Sequence, residues 1–179
     1  MKQVYILTLL YIIFIYLNNA YIRLYPSIPV YPDNKKELKI VKKLISKRNK
    51  DDINFFYKTN NSVSAAFLPY VDLDQNYIDN IVYSQKYIIR FFKYLINRKR
   101  PYQLGIKPID ISTAQTPSYP AGHSYQAYLV AKKLSKIYPQ KKQLFYKIAI
   151  KCDMCRVKAG LHYPSDGVFS RKLVDYFNP

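Results

Sequence analysis

Residues 141–177 read KKQLFYKIAIKCDMCRVKAGLHYPSDGVFSRKLVDYF. Leu144, Ile148 and Cys152 recur at four-residue intervals, which puts them on one inward face of a helix from Lys141 to Lys158. Gly160 interrupts the pattern, and Pro164, Ser165 and Asp166 have the composition of a capped start for a last helix running to about Phe177. Upstream, Gly122 to Tyr138 repeats the same period through Ala127, Ala131 and Leu134. From Asp72 to Arg98 the residues Ile78, Ile81, Val82, Ile88, Phe92, Leu95 and Ile96 keep helical spacing, predicting the longest helix of the chain, ended by Pro101. Lys35 to Lys50 reads as a basic amphipathic helix with Leu38, Val41 and Leu44 or Ile45 on its apolar face. Val63 to Val71 is apolar but too short to assign, and the proline-bearing stretch Tyr25 to Asn34 reads as a linker or an extended strap. No hairpin signal interrupts these segments. The expected fold class is therefore all-α, a helical bundle without internal repeats.

At 179 residues and 49% apolar content the chain suffices for one buried core. Its formal charge of +18 rests largely on lysine, in a composition also rich in Tyr, Ile and Asn that resembles an A/T-rich codon bias. Whatever its origin, such a field draws phosphorylated substrates, nucleic acids or anionic membranes toward the surface. Lys2 precedes an apolar run from Val4 to Leu17, broken only by Thr8 and followed by Asn18, Asn19 and Ala20. That order reads as a signal peptide over residues 1–20, with an uncleaved anchor over residues 4–22 as the alternative. Residues 21–71 are then expected to form a linker and N-terminal helical extension, and residues 72–179 the functional core. The bulk of the chain is expected in a secreted, lumenal or otherwise extracytoplasmic compartment. Cys152 and Cys155 read as free thiols, because mid-helix geometry suits a bridge poorly and Cys-x-x-Cys alone supplies half a zinc shell.

Histidine and glycine are scarce, and both histidines and all the glycines fall between Gly105 and Gly167. Gly122 adjoins His123, and Gly160 lies two residues before His162, which suggests a backbone that approaches something closely. Lys93 and Arg100, seven apart, are expected on one side of a helix with Arg100 at its end, both aimed at one anion. Pro120, Ala121, Gly122 and His123 open a helix, whose free amides and positive dipole end suit phosphate oxygens. Arg156 precedes His162 by six residues and Asp166 follows it by four, the last two suited to an imidazole held in one tautomer.

The segments Lys93 to Arg100-Pro101, Pro120 to His123, and Cys155-Arg156 through His162 to Asp166 resemble, in order and in spacing, the three-part signature of the type 2 phosphatidic acid phosphatase superfamily. That superfamily includes bacterial class A acid phosphatases and vanadium haloperoxidases, and the resemblance implies their type of helical bundle. It implies a metal-independent, cofactor-free phosphatase acting on phosphate monoesters. His162 would be the nucleophile, Asp166 its orienting group and His123 the general acid and base, with Lys93, Arg100, Gly122 and Arg156 binding the phosphoryl oxygens. Ala121 and Cys155 depart from the pattern, since serine is usual at both positions. The implied partner is a phosphorylated small molecule or lipid phosphate, with membrane association through the N-terminus and no specific nucleic acid. Other readings are a basic secreted or anchored non-enzymatic protein that binds anionic lipid or nucleic acid, and a vanadate-dependent haloperoxidase. Tyr102, Tyr119 and Tyr163 flank the motifs, as pocket walls or as core.

Overall fold

The structure, a computed structural model, describes residues 27–179 together with Ile6, Leu9, Leu10 and Ile13. Those four are helical and exposed; the rest of the signal-peptide or anchor stretch expected over residues 1–22 lies outside the described residues. Among the described residues all regular structure is helical: α1 (Asn34–Ile45), α2 (Lys50–Lys58), α3 (Ser64–Phe67), α4 (Gln75–Tyr83), α5 (Lys86–Ile96), α6 (Gly122–Ile137), α7 (Lys142–Lys158) and α8 (Pro164–Phe177).

The core forms around α6. Tyr125, Ala127, Leu129, Val130, Ala131 and Leu134 are fully enclosed, so this helix is covered on nearly every side. Ala127 and Ala131 lie one turn apart and carry little bulk, which suits a helix flanked closely by α7, α8 and α4. Removing a side chain as enclosed as Leu134 costs about 2–5 kcal/mol in such a setting. The Val63–Val71 segment, unassigned from sequence, is α3 and a 3-10 turn, and it buries Val63, Ala66 and Phe67 in the same core. A smaller cluster joins Val41 of α1 to Val157, Ile106 and Tyr163, and another joins Phe56 of α2 to Ala114, Ala159 and Leu161. Segment 27–33 crosses the end of α5, where the Ile28 amide donates to the Ile96 carbonyl at 3.1 Å.

Two expectations from periodicity need correction. The long helix over Asp72–Arg98 is two helices, and α7, with 17 residues, is the longest described. The chain leaves helical geometry at Gln85 (φ −119, ψ 24), whose side-chain amide donates to Asn178 at 2.8 Å and whose carbonyl accepts from the Tyr125 hydroxyl. These long-range bonds anchor the break to α6 and to the C-terminus. The basic helix expected to Lys50 stops at Ile45, and α2 starts afresh at Lys50. Asn49 and Asp52 close a reciprocal capping box there, each side chain accepting from the other's backbone amide at 2.9 and 3.1 Å.

Cys152 and Cys155 are buried free thiols, and the Cys155 thiol donates to the Cys152 carbonyl at 3.1 Å. On the neighbouring face of α7, Asp153 accepts from Ser124 at 2.7 Å, while burial pushes its carboxyl up to about 6. A Cβ at Gly167 of α8 would stand 2.1 Å from Asp153 Oδ1, so glycine is what lets α8 close on α7. Gly167→Ala is expected to lower the unfolding free energy by about 1–3 kcal/mol, seen as a lower urea midpoint. Combining it with Asp153→Ala should recover most of that loss.

Candidate active site

Local backbone geometry aims each polar group. Asn97, at φ 51, ends α5 in the left-handed region. Pro101 then keeps Arg100 extended, at φ −80 and ψ 158. Arg98 and Arg100 turn inward while Lys99 between them is exposed, as alternation along an extended segment requires. Arg100 is therefore not on the helix that carries Lys93, contrary to the expectation from their spacing, yet both line one cavity. Past α7, Gly160 takes φ 78, and a Cβ there would meet Ile106 at 2.9 Å. This reversal carries the chain from Arg156, in the last turn of α7, back to His162.

That cavity, about 380 Å³, is lined by Lys93, Arg100, Gly122, His123, Arg156 and His162, among others. Asp166 lies behind His162 and is fully buried. All the site residues named from the sequence thus converge, six on the cavity wall and one behind it. Tyr102, Tyr119 and Tyr163 do not line it. Tyr119 and Tyr163 pack against the Arg98 guanidinium, and the Tyr102 hydroxyl donates to the Ala114 carbonyl at 3.0 Å.

The His162 ring is fixed at both nitrogens. Nε2 lies 3.1 Å from Arg100 Nη1, a group that only donates, so Nε2 is the acceptor. Nδ1 then carries the proton and donates to Asp166 Oδ2 at 2.9 Å. Asp166 also accepts from Ser118 Oγ at 2.5 Å, from the Tyr163 amide at 2.9 Å and from Arg98 Nη1 at 2.7 Å. Burial alone would raise its carboxyl, but the His162 hydrogen bond and the Arg98 charge outweigh that and hold it well below the usual carboxylate range. Burial and the Arg100 charge, in turn, depress His162 to about 3. The imidazole is neutral at ordinary pH, with a lone pair on Nε2.

Arg98 has no exposed surface and bridges two carboxylates, Asp166 and Glu37 of α1, each at 2.7 Å. Glu37 in turn accepts from the Ser165 amide at 3.0 Å, capping α8. Sequence reasoning passed over Arg98, Glu37 and Ser118. For Arg98 the signal was its place two residues before Arg100 in a stretch too near a proline to be helical.

His123 opens α6 behind Ala121, whose methyl is buried where a serine is usual. Its Nε2 donates to the Asn60 carbonyl at 2.9 Å, leaving Nδ1 as the nitrogen able to exchange a proton. Burial first, then the Arg156 charge, hold His123 well below the ordinary histidine value. Arg156 is clamped by Thr59, whose carbonyl accepts from Nη2 at 2.6 Å, and by Asn60, whose side-chain oxygen accepts from Nη1 at 3.3 Å. Its Nε is buried without a protein acceptor. Lys93 Nζ donates to the Pro117 carbonyl at 2.5 Å, and burial beside Arg100 holds it well below the usual lysine value. Cations therefore crowd a cavity that, among the described residues, no carboxylate lines, an arrangement completed by an oxyanion.

Fold and site together define a helical protein with an oxyanion cavity built around a neutral, carboxylate-backed histidine. The chain belongs to the PAP2 superfamily, which it matches over residues 80–173. Phosphatase chemistry is the activity that membership supports. Among solved structures, the fold is similar to a transmembrane PAP2-type phosphatidylglycerolphosphate phosphatase from Bacillus subtilis, with a TM-score of 0.53 and 20% identity over 80% of this chain and 85% of that one. No curated protein sequence matches the chain.

Replacing Arg98 with Met strands two buried carboxylates and is expected to cost about 3–5 kcal/mol in denaturant unfolding. Lys93→Met, which relieves a crowd of cations, should leave stability within about 1 kcal/mol.

Proposed function

We propose that this chain is a metal-independent phosphatase that hydrolyses phosphate monoesters through a phosphohistidine on His162. The observation that carries the reading is the His162 ring, neutral, with Nδ1–H on Asp166 and the Nε2 lone pair toward the cavity. That lone pair accepts from Arg100 Nη1. A phosphoryl oxygen competes for the same guanidinium and so frees the nucleophile as it binds. Lys93, Arg100, the buried Nε of Arg156 and the amides opening α6 supply the positive field that the transferring group needs.

Nε2 of His162 attacks phosphorus as the bond to the leaving oxygen breaks, and that oxygen takes a proton from Nδ1 of His123. Water then gives a proton to His123 and attacks the phosphohistidine. The phosphorus–nitrogen bond breaks, and phosphate takes the proton from His123 and leaves as its monoanion, restoring both histidines. Ala121 removes one hydroxyl donor, worth about 0.5–1.5 kcal/mol, and leaves the amides in place. Superfamily membership favours a phosphorylated lipid as substrate, with a phosphorylated small molecule as the other class. No helix among the described residues is long and apolar enough to cross a membrane, so membrane attachment falls to residues 4–22. In this reading the core faces an extracytoplasmic compartment.

Because burial and the Arg156 charge keep His123 neutral, its proton enters with the substrate, as the phosphate monoanion. The activity should fall as pH drops through about 3, where His162 is protonated and cannot attack. It should also decline above roughly pH 6, where the second phosphate ionisation removes the incoming proton. A kcat/KM profile on an aryl phosphate checks this, and one still rising beyond about pH 9 contradicts it. On the same substrate, release should resist chelators, be blocked by vanadate and vanish in His162→Ala, while His123→Ala loses roughly 10²–10⁴-fold.

A further inference from the structure

Helix α1 lies ahead of the residues matched to the superfamily, which begin at 80. Its sequence, NKKELKIVKKLI, holds a single acid, Glu37. An acid in the first turn of a helix is ordinarily a solvated partner of the dipole, whereas Glu37 is 5% exposed and turned to the interior. Asn34 stands three residues earlier on the same face, and both side chains meet Arg98. Nε of the guanidinium donates to Asn34 Oδ1 at 2.9 Å, and Nη2 donates to Glu37 Oε2 at 2.7 Å. The other prong, Nη1, donates to Asp166 Oδ1 at 2.7 Å and to Ser165 Oγ at 2.8 Å. Ser165 Oγ in turn donates to Glu37 Oε2 at 2.5 Å, which closes a ring around the fork.

The two prongs of one guanidinium are thus divided between two acids. A guanidinium facing a single carboxylate prefers to take both of its oxygens. Here Nη2 is held by Glu37, and Arg98 takes only Oδ1 of Asp166. The other oxygen, Oδ2, is the one that accepts from Nδ1 of His162 at 2.9 Å. We propose that Glu37 is a positioning residue for the reaction: by holding Nη2 of Arg98 it reserves Asp166 Oδ2 for His162 and keeps the imidazole aimed for attack. The inference rests on the phosphatase reading and extends the working site to a helix outside the three motifs. With the Glu37 charge removed, Nη2 is free to turn onto Oδ2 and compete with the imidazole for it. Charge balance alone needs no particular division of the fork, and would make Glu37 matter for stability only.

The test sets Glu37→Gln, which keeps the shape and removes the charge, against Leu44→Ala. Leu44 is part-buried two turns further along α1, packed on the Val41 cluster, so its truncation loosens the same helix without touching Arg98. Both variants should lower the urea midpoint. Under conditions where both are folded, kcat/KM of Glu37→Gln on an aryl phosphate should fall roughly tenfold to a hundredfold, with inhibition by inorganic phosphate unchanged within about threefold. Leu44→Ala should keep kcat/KM within about twofold. In proton–nitrogen-15 spectra the Nδ1 proton of His162 should move upfield in Glu37→Gln, as its bond to Asp166 weakens, and stay in place in Leu44→Ala. Glu37→Asp, which keeps the charge but draws it back by one methylene, should shift both readouts in the same direction by less, and serves where Glu37→Gln does not fold. An Nδ1 resonance unmoved in the Glu37 variants overturns the proposal, as does unchanged kcat/KM in them or an equal loss in Leu44→Ala. If the unaltered chain releases no phosphate, the phosphatase reading falls, and the resonance alone decides whether Glu37 holds the fork for His162.

Discussion

The site depends on one buried carboxylate. Asp166 has no exposed surface, and an isolated charge there would be several kcal/mol too costly to keep. Arg98 offsets it, Glu37 offsets Arg98, and His162, Ser118 and the Tyr163 amide fill the carboxylate's remaining accepting capacity. The resulting row of imidazole, carboxylate, guanidinium and carboxylate runs from the cavity wall to α1. Tyr31 and Tyr163 close over the guanidinium at 4.2 and 3.8 Å and keep water from it. Orientation of one histidine is thereby tied to the packing of a helix more than a hundred residues away in sequence.

On the other side of His162 the balance reverses. Lys93, Arg100 and Arg156 are buried or nearly so, yet their partners are carbonyls and hydroxyls rather than acids. Burial depresses each of them, with Arg100 brought down to about 10, and the Arg100 charge adds to the effect at Lys93. Such an arrangement is held in place by the core around it and stabilised by an incoming anion. The same field that makes the free site unfavourable makes phosphate binding and charge redistribution at phosphorus favourable. Thr59 and Asn60 contribute to both halves, since Asn60 accepts from Arg156 through its side chain and from His123 through its backbone.

Sequence alone carried the all-helical class, the bounds of α6, α7 and α8 to within a residue or so, and the residues that converge on the cavity. These were legible because apolar periodicity and cap residues are local, and because histidine and glycine are scarce enough for their neighbours to stand out. The break at Gln85 was hidden because its cause lies in bonds to Tyr125 and Asn178, distant in sequence. The separate helix at Lys50 was masked by a polar composition in which only Phe56 is buried. Arg98, Glu37 and Ser118 escaped notice for the same kind of reason: their partners lie in distant segments, and in a chain with 29 lysines and arginines the place of Arg98 just before Arg100 and Pro101 is a faint mark of a buried bridge. Arg100 reaches the cavity from an extended segment rather than from the helix its spacing suggested, so convergence was foreseen and its geometry was not.

The tautomer of His162 is the property from which the nucleophile, the role of Asp166 and the acidic working range all follow. Nitrogen-15 correlation spectra of the free protein, with His123 and His162 distinguished by single substitution, read it directly. A neutral ring protonated on Nδ1 and bare on Nε2 from neutral pH down to about pH 4 is the expected result. A ring protonated on Nε2, or an imidazolium already formed at neutral pH, would contradict it.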